Sequence, residues 1–384
     1  MVVVGTRPEA IKLAPVVLAL RDDPRYDPIL VTTAQHREML DQVLEFFSIT
    51  PDHDLGIMQA GQSLASVTTR GLQGLNRIIA DRSPELVMVQ GDTTSTFVGA
   101  LAGFYHQVPV AHVEAGLRTL RRYAPFPEEI NRRLVTQLAS LHLAPTPEAV
   151  SNLLTENVAA EEIVCTGNTV IDALRWAVSR QIDFGVPELA DLDRDPRRVV
   201  LVTMHRRESW DGGLGGVGRA LVRLAVANPD FLVVIPLHLN PAVRKAVLPV
   251  VGNLENIVVV EPLPYGAFTR LLARADLVMT DSGGIQEEAP ALGKPVLVLR
   301  DVTERPEGVA AGAVELVGTD EEVILDRAQK ILTDSDVYGR MTRAVDSYGD
   351  GRAASRIVEA IAWFFGEGPR PFEFRPGSAS GKHS

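Results

Sequence analysis

The chain consists of short continuous runs of apolar residues, separated by longer stretches whose apolar residues recur with helical spacing. Runs rich in Val, Ile and Leu without polar alternation are typical of parallel strands covered on both faces of a sheet. The predicted strands form two series, at 2–4, 29–33, 86–90, 108–113, 141–144 and 163–165, and at 199–203, 231–236, 257–260, 277–280, 295–299 and 314–317. Because strands alternate with helices in both series, the pattern predicts an α/β fold with two doubly wound domains.

Length and local composition suggest where these domains begin and end. A chain of 384 residues is too long for one ordinary core and suits two domains of about 150–200 residues each. A polar stretch containing Asp and Pro separates the two series of strands, and a Gly-, Pro- and Ser-rich segment ends the chain. We expect an N-terminal domain over 1–168, a C-terminal domain over 169–350, a last helix over 351–366 and a mobile tail over 367–384.

Charge and cysteine content exclude several classes of protein. The net charge of −11, with 38 basic and 49 acidic residues, disfavours nucleic acid as a partner, because that binding depends on basic side chains that displace counterions. The single cysteine, Cys165, excludes an internal disulfide and a cysteine-based zinc site. No apolar run approaches the ~18 residues of a membrane span, and no signal-peptide pattern opens the sequence. We therefore expect a cytoplasmic protein with no membrane partner.

Polar side chains follow the predicted strands at the edge where α/β sheets bind ligands. In an open parallel sheet, that edge is formed by the carboxyl ends of the strands. Most segments there present an ionisable or strongly hydrogen-bonding side chain. They are Gly5-Thr6-Arg7, Gln35-His36, Gly91-Asp92, Glu114, His205-Arg206-Arg207, His238 and Asp281-Ser282-Gly283-Gly284. The pattern is typical of an enzyme and predicts that two sheets face one another across a ligand-binding cleft.

One segment with phosphate-binding character lies near the start of the chain. The stretch "VVVGTRPEAIKLAPVV" places Arg7 at the start of a predicted helix and Lys12 about one turn later. Both are suitable phosphate partners, although Pro8 and Glu9 by themselves are simply a favourable helix start. The stretch matches neither the P-loop nor the GxGxxG pattern, so a mononucleotide P-loop and an NAD site lack support.

A second such segment is "TDSGGIQEEAPALGKPV", residues 280–296. Ser282, Gly283 and Gly284 open a predicted helix, and the N–H groups at a Gly-rich helix start favour an anion such as phosphate. The first turn also carries two acids, Glu287 and Glu288, which are themselves suited to stabilising a helix N-terminus. The residues alone leave open whether this helix start holds an anion or is capped by its own carboxylates.

Three acids and a histidine are candidates for acid–base chemistry. Asp92 in "VMVQGDTTST" is most simply explained as a helix N-cap, and Glu128 in "FPEEINRRL" as an acid in a first helical turn. Glu114 in "VAHVEAGLRT" has no helix to cap directly and is followed by small residues, which favours a role with a ligand. His205 in "VTMHRRESW" ends a buried strand, and His238 in "PLHLNP" is a weaker example. With the Ser-Gly-Gly turn, these groups indicate a cleft enzyme whose anionic ligand is held by one domain and processed by the other.

Eight motifs in the chain resemble those of the non-hydrolysing UDP-N-acetylglucosamine 2-epimerases. They are "GTRPEAIK", "QGDTTST", "HVEAGLRT", "PEEINR", "HRRE", "HLNP", "TDSGGIQEEAPALGKPVLVLRDVTERPE" and "GTD", in order from residue 2 to about residue 365. The resemblance implies two Rossmann-like domains around a central cleft, as in GT-B glycosyltransferases, with the last helix crossing back to the first domain. It also implies interconversion of UDP-N-acetylglucosamine and UDP-N-acetylmannosamine by a homodimer, without cofactor or metal, supplying precursors for cell-surface polysaccharide.

The resemblance also assigns roles to individual residues. The catalytic groups would be Asp92, Glu114, Glu128 and His205. The UDP site would comprise Arg7, Lys12, His205, Phe268, Ser282, Gly283, Gly284, Glu288 and Arg305. In that site the Ser-Gly-Gly turn holds the diphosphate and Glu288 accepts hydrogen bonds from the ribose. A neighbouring regulatory site for UDP-N-acetylglucosamine would use Gln35, Glu128, Arg206 and His238.

Three other functions remain open at this point. A hydrolysing epimerase would release UDP and free N-acetylmannosamine with the same residues if water entered the site. A UDP-sugar glycosyltransferase shares the implied fold but needs an acceptor groove, often with apolar or basic patches that the sequence does not show. A sensor that binds a nucleotide sugar without turnover has no need of the four candidate catalytic groups.

Overall fold

The computed structural model describes residues 1–33, 37–57, 61–204, 213–252, 254–303, 305–343 and 346–377. Contacts divide the chain into two compact units. Unit 1 comprises Met1–Arg175 together with Gly349–Ser384, and unit 2 comprises Trp176–Tyr348. Each unit contains one parallel sheet with helices between its strands, so the prediction of two doubly wound α/β domains is confirmed.

Unit 1 contains a seven-stranded parallel sheet in the order β3-β2-β1-β4-β5-β6-β7. The strands are β1 Val2–Val4, β2 Leu30–Thr32, β3 His53–Asp54, β4 Val87–Gln90, β5 Val110–Val113, β6 Leu141–Ala144 and β7 Ile163–Cys165. The helices are α1 Arg7–Asp22, α2 Arg37–Phe46, α3 Leu64–Arg82, α4 Thr94–Tyr105, α5 Glu128–Leu138, α6 Pro147–Thr155 and α7 Thr169–Val178, the last of which continues into unit 2. Apolar runs predicted every strand except β3, whose two residues are polar.

Part of the core of unit 1 lies between the sheet and helices α3 and α4. Val3, Val31 and Val89 come from three adjacent strands and are buried with Leu75 of α3 and Val98 of α4. Fully burying a side chain of this size stabilises the fold by about 1.5–3 kcal/mol. This packing holds β1 beside β4, and the first predicted site residues follow the carboxyl ends of these strands.

Unit 2 contains a six-stranded parallel sheet in the order β10-β9-β8-β11-β12-β13. The strands are β8 Arg198–Thr203, β9 Phe231–Pro236, β10 Ile257–Val260, β11 Leu277–Thr280, β12 Val296–Val298 and β13 Val314–Leu316. The helices are α8 Gly213–Ala227, α9 Pro241–Val251, α10 Tyr265–Arg274, α11 Ile285–Ala291, α12 Pro306–Ala310, α13 Glu321–Thr333 and α14 Ser335–Thr342. The core includes Val202, Val233 and Met279 from the sheet, packed with Leu221 of α8.

The last helix, α15 Ala353–Phe364, belongs to unit 1. It packs against α1, and the hydroxyl of Tyr26, which follows α1, donates a hydrogen bond to the carbonyl oxygen of Val358 at 3.0 Å. Its N-terminus is capped from α7, because the Asp172 carboxylate accepts hydrogen bonds from the N–H groups of Ala353 and Ala354 at 3.2 and 2.9 Å. The expectation that the last helix returns to the first domain is confirmed.

Residues 367–377 of the expected mobile tail pack against unit 1, and its remaining residues, 378–384, lie outside the described residues. Residues 367–377 are described, and Phe374 is only 2% exposed. The Phe374 N–H donates to the carbonyl oxygen of Cys165 at 2.8 Å, at the end of β7. The Arg370 guanidinium donates to the carbonyl of Ile163 and lies over the ring of Trp363. Composition alone did not predict this packing, because it depends on two aromatic rings and one arginine.

In the described part of the chain, no helix is both long enough and apolar enough to cross a membrane.

Candidate active site

The turn between β1 and α1 is built on Gly5. A Cβ atom added at Gly5 would lie 2.1 Å from the Ser95 Oγ, so only glycine fits against α4 at this point. The Gly5 and Thr6 N–H groups donate to the Glu9 Oε2 at 2.7 and 2.6 Å. These bonds fix the start of α1, whose first residue is the half-buried Arg7.

Glu9 connects this turn to the next strand end. Its other carboxylate oxygen, Oε1, accepts hydrogen bonds from the hydroxyls of Thr93 and Thr96 on the segment that begins α4. Burial raises the pKa of Glu9, and its four hydrogen bonds act in the opposite direction. The interpretation of Glu9 as a helix-start residue is therefore correct but incomplete, since it also joins the loops after β1 and β4.

Asp92 does not cap the helix that follows it. The N-cap of α4 is Thr93, whose Oγ1 accepts a hydrogen bond from the Thr96 N–H at 3.2 Å. The Asp92 carboxylate instead forms an ion pair with the Arg132 guanidinium of α5, and its side chain is 25% exposed. The N-cap interpretation of Asp92 is wrong, because the hydroxyl one residue later takes that role.

Glu114 has a backbone conformation that is uncommon for a residue with a side chain. Its φ is +64°, in the left-handed region, and holding a non-glycine residue there costs of the order of 1 kcal/mol. The Glu114 Oε2 accepts hydrogen bonds from the Lys12 ammonium and from the Gln90 amide, the latter at 2.9 Å. The structure thus brings two predicted site residues, Lys12 and Glu114, into direct contact.

Glu128 and Glu129 lie in the first turn of α5, as predicted, but they differ in environment. Glu128 is half-buried, whereas the Glu129 side chain is fully buried. The Glu129 carboxylate accepts hydrogen bonds from the N–H groups of Thr119 and Leu120 at 3.0 and 3.2 Å and pairs with Arg132 and Arg133. The Glu129 carboxylate therefore holds the loop before α5 in place, and these hydrogen bonds do not involve the Glu128 carboxylate.

In unit 2, the turn Ser282-Gly283-Gly284 follows β11 and precedes α11, which begins at Ile285. The helix begins at Ile285, directly after this turn, so the turn leads into the helix start as predicted. Gly284 is the N-cap, has no side chain to cap the helix, and is exposed. A Cβ atom added there would meet no atom within 4 Å.

The carboxylates of α11 are held inside unit 2. Glu287 and Glu288 are buried, and Glu287 forms an ion pair with the Arg305 guanidinium. The Thr303 hydroxyl donates to the Gln286 Oε1 at 2.5 Å and accepts from the Arg305 N–H at 3.0 Å. Arg305, predicted to contact UDP, is therefore tied to the same helix as Glu288.

The remaining predicted residues fall into two groups. Phe268 is half-buried on α10, and His238 is exposed after β9, where its Nδ1 accepts the Asn240 N–H at 3.1 Å. Gln35, His205 and Arg206 lie outside the described residues. Among the residues that are described, no three His, Cys, Asp or Glu side chains are grouped so that they could hold a metal ion.

Sequence reasoning missed the residues that orient the predicted groups. Gln90, Arg132 and Gln286 occur inside the motifs "QGDTTST", "PEEINR" and "TDSGGIQEEAPALGKPV", but only the structure reveals their partners. His112 of "HVEAGLRT" is fully buried and contacts the Gly91 carbonyl. The available signal was that each of these polar residues lies within a few positions of a predicted ionisable or phosphate-binding residue in the same motif.

Comparison with known proteins gives consistent results. The family model for UDP-N-acetylglucosamine 2-epimerase matches residues 18–362. The UDP-N-acetylglucosamine 2-epimerase of Escherichia coli (strain K12) is 51% identical over 367 residues, which are 94% of this chain and 97% of that protein. The corresponding protein of Bacillus subtilis (strain 168) is 50% identical over 366 residues, which are 95% of each chain.

Solved structures agree with these matches. The crystal structure of UDP-GlcNAc 2-epimerase from Neisseria meningitidis bound to UDP-GlcNAc is 44% identical, with a TM-score of 0.84 over 94% of this chain and 99% of that one. Similarity to these structures confirms the predicted GT-B-like fold class. Because the family model and the relatives extend over nearly the whole chain, the protein belongs to the UDP-N-acetylglucosamine 2-epimerase family.

Proposed function

We propose that this protein interconverts UDP-N-acetylglucosamine and UDP-N-acetylmannosamine by eliminating UDP and adding it back, without hydrolysing the nucleotide sugar. The observation that carries the proposal is the pair of carboxylates, Asp92 and Glu114, after adjacent strands β4 and β5. Neither caps a helix start, and each is held by a cation, Arg132 or Lys12. Such an arrangement suits proton transfer at a sugar carbon.

The chemistry requires that departure of UDP precedes or accompanies removal of the C2 proton. C2 of this sugar is not adjacent to a carbonyl, so a carboxylate base alone does not remove its proton at a useful rate. Breaking the C1–O bond builds positive charge on the ring and acidifies C2. Loss of UDP and of the C2 proton then leaves 2-acetamidoglucal, and re-addition with protonation of the opposite C2 face gives the epimer.

The departing diphosphate has to be stabilised as its charge develops. We propose that the Ser282-Gly283-Gly284 turn, Arg7 and Arg305 provide this stabilisation, with Phe268 near the base and Glu288 at the ribose hydroxyls. The open space around Gly284 supports close approach of an anion to the backbone. Lys12 would contribute as well, and its ammonium group donates a hydrogen bond to Glu114.

The carboxylates Asp92, Glu114 and Glu128, together with His205, would stabilise the ring cation and carry the proton to and from C2. Glu128 is half-buried, and the neighbouring Glu129, not Glu128, accepts the hydrogen bonds from the loop before α5. The ion pair with the Arg132 guanidinium holds the Asp92 carboxylate in place after β4.

Family membership also leads us to propose a homodimer that supplies precursors for cell-surface polysaccharide. A regulatory site for UDP-N-acetylglucosamine would include Gln35, Arg206 and His238. Sedimentation equilibrium tests the dimer. Sigmoidal dependence of UDP-N-acetylmannosamine conversion on added UDP-N-acetylglucosamine tests the regulatory site.

Incubation with UDP-N-acetylglucosamine alone in deuterium oxide, followed by NMR and chromatography, tests the proposal. We expect UDP-N-acetylmannosamine with deuterium at C2, because the carboxylate that returns the proton exchanges with solvent. Free UDP accumulating in step with free N-acetylmannosamine would identify a hydrolysing epimerase. Unchanged substrate that nevertheless binds would identify a sensor, and sugar transfer only on addition of an acceptor would identify a glycosyltransferase.

A further inference from the structure

His112 lies close in the chain to Glu114 and contacts the peptide that precedes Asp92. It is the third residue of β5, is fully buried, and precedes Glu114 by two positions in the chain. Its Nε2 lies 2.7 Å from the carbonyl oxygen of Gly91, the residue before Asp92. One ring therefore connects the strand that carries Glu114 to the peptide that carries Asp92.

The protonation state of this ring follows from its surroundings. Burial lowers the pKa of His112 to about 3, so the ring is neutral at any pH suitable for assay. A carbonyl oxygen only accepts hydrogen bonds, so the single ring proton is on Nε2 and is donated to Gly91. The other nitrogen, Nδ1, is buried and has no hydrogen-bond partner among the described residues. The polar function of the ring thus consists of one bond, to the Gly91 carbonyl.

The backbone around Asp92 is held on both sides. Gly91 has φ +73°, in the left-handed region, and its N–H donates to the Val113 carbonyl at 2.9 Å. The Asp92 carbonyl accepts from the Asn131 amide at 3.0 Å. His112 and Asn131 therefore fix the two peptide groups that flank the Asp92 Cα, while Arg132 pairs with its carboxylate.

We propose that His112 is a positioning residue of the epimerase reaction, which acts on Asp92 through the Gly91 carbonyl and does not touch the substrate. The proposal rests on the proposed function, in which Asp92 is one of the groups that stabilise the ring cation and carry the C2 proton. Displacement of a reacting group by about 1 Å is sufficient to lower a rate about 100-fold. Loss of the His112 bond should therefore lower turnover more than substrate binding.

The neighbouring strand supplies a matched control. His142 of β6 is paired with His112 in the sheet, is 1% exposed, and also has a buried Nδ1 without a partner. Burial lowers its pKa to about 4. The two histidines therefore have similar burial and similar cost of replacement, but only His112 contacts the peptide before Asp92.

The experiment compares His112→Leu, His112→Gln and His142→Leu at a temperature where circular dichroism finds each folded. We expect His112→Leu to lower kcat about 10- to 100-fold with KM changed by no more than about twofold. His112→Gln should recover most of kcat, because its amide N–H reaches the position of Nε2, and His142→Leu should keep kcat near wild type. In an Asp92→Asn background, His112→Leu should add little further loss, since residues that act through one another are not additive.

Equal kcat values for His112→Leu and His142→Leu, or additivity with Asp92→Asn, would overturn the positioning role. If His112→Leu does not fold, Asn131→Ala tests the same positioning from the other peptide, and an unchanged kcat there also overturns it. The activity of the wild-type protein separates failure of the proposed function from failure of the His112 role. A wild type without epimerase activity removes the proposed function and this role with it, whereas an active wild type with an insensitive His112 removes the role alone.

Discussion

Replacement of Gly284 by valine tests the diphosphate site with little disturbance of the fold. Gly284 is exposed, its φ of −65° is accessible to every residue, and an added Cβ atom would contact nothing within 4 Å. The substitution should therefore cost the folded protein well under about 1 kcal/mol, mainly through the poorer N-cap. In the proposed complex, however, the valine side chain occupies the space through which the diphosphate approaches the backbone.

The expected loss of affinity follows from the bonds that the side chain would block. A hydrogen bond to a charged group contributes about 1.5–3 kcal/mol, so loss of one such bond weakens UDP binding by roughly 10- to 150-fold. Isothermal titration calorimetry with UDP measures this directly and does not depend on turnover. Gly284→Ala should give a smaller loss, because one methyl group blocks less of the approach.

Gly339 of α14 is the matched control, since an added Cβ atom there also meets nothing within 4 Å. Gly339→Val should leave the affinity for UDP unchanged. Equal UDP affinity in wild type, Gly284→Val and Gly339→Val would refute the assignment of the Ser-Gly-Gly turn to the diphosphate.

Three further predictions concern the catalytic acid, acid stability and thiol reactivity. Glu128→Gln should keep a normal melting temperature while kcat falls at least about 100-fold, and near-wild-type turnover would restore the simple helix-start interpretation. Burial lowers the pKa values of His112 and His142 from 6.5 to about 3 and about 4, so the unfolded state binds more protons below pH 6.5. The contribution of these histidines to the free energy of unfolding should therefore be complete above about pH 6.5 and fall on acidification by up to about 1.4 kcal/mol per pH unit for each histidine. Urea titrations at pH 7 and pH 5 measure this change. In His142→Leu the free energy of unfolding should depend less steeply on pH. Burial raises the pKa of Cys165 to about 12, so a thiol reagent should modify it only when the protein unfolds, and rapid modification of the native protein would contradict its placement.

Strand positions were predictable because each buried parallel strand is a local run of apolar residues. Six of the twelve predicted runs coincide with observed strands, and the other six differ from the structure by one or two residues at an end. The two-residue strand β3 was missed, since polar residues at a sheet edge carry no such signal.

The sequence indicated which positions belong to the candidate site, but not which side chains contact one another there. Both Asp92 and Thr93 are suitable N-caps, and the sequence does not reveal that Arg132, 40 residues later, binds the aspartate. Lys12 and Glu114 are separated by 102 residues and meet only because β1, β4 and β5 are neighbours in the sheet. Local chemistry therefore indicated which residues matter, while long-range pairing decided what each one contacts.

The return of α15 to unit 1 has a consequence for the order in which the protein can fold during its synthesis. Unit 2 is continuous in sequence, so all of its strands are available once residue 348 has left the ribosome. Unit 1 holds the predicted catalytic carboxylates, yet α1 and β7 lack their last packing partners until the segment from Gly349 onward emerges. Most of unit 1 is thus translated first, but this unit is completed last. A chain cut before Ala353 would lose the packing of α15 on unit 1 without losing any residue predicted to contact substrate.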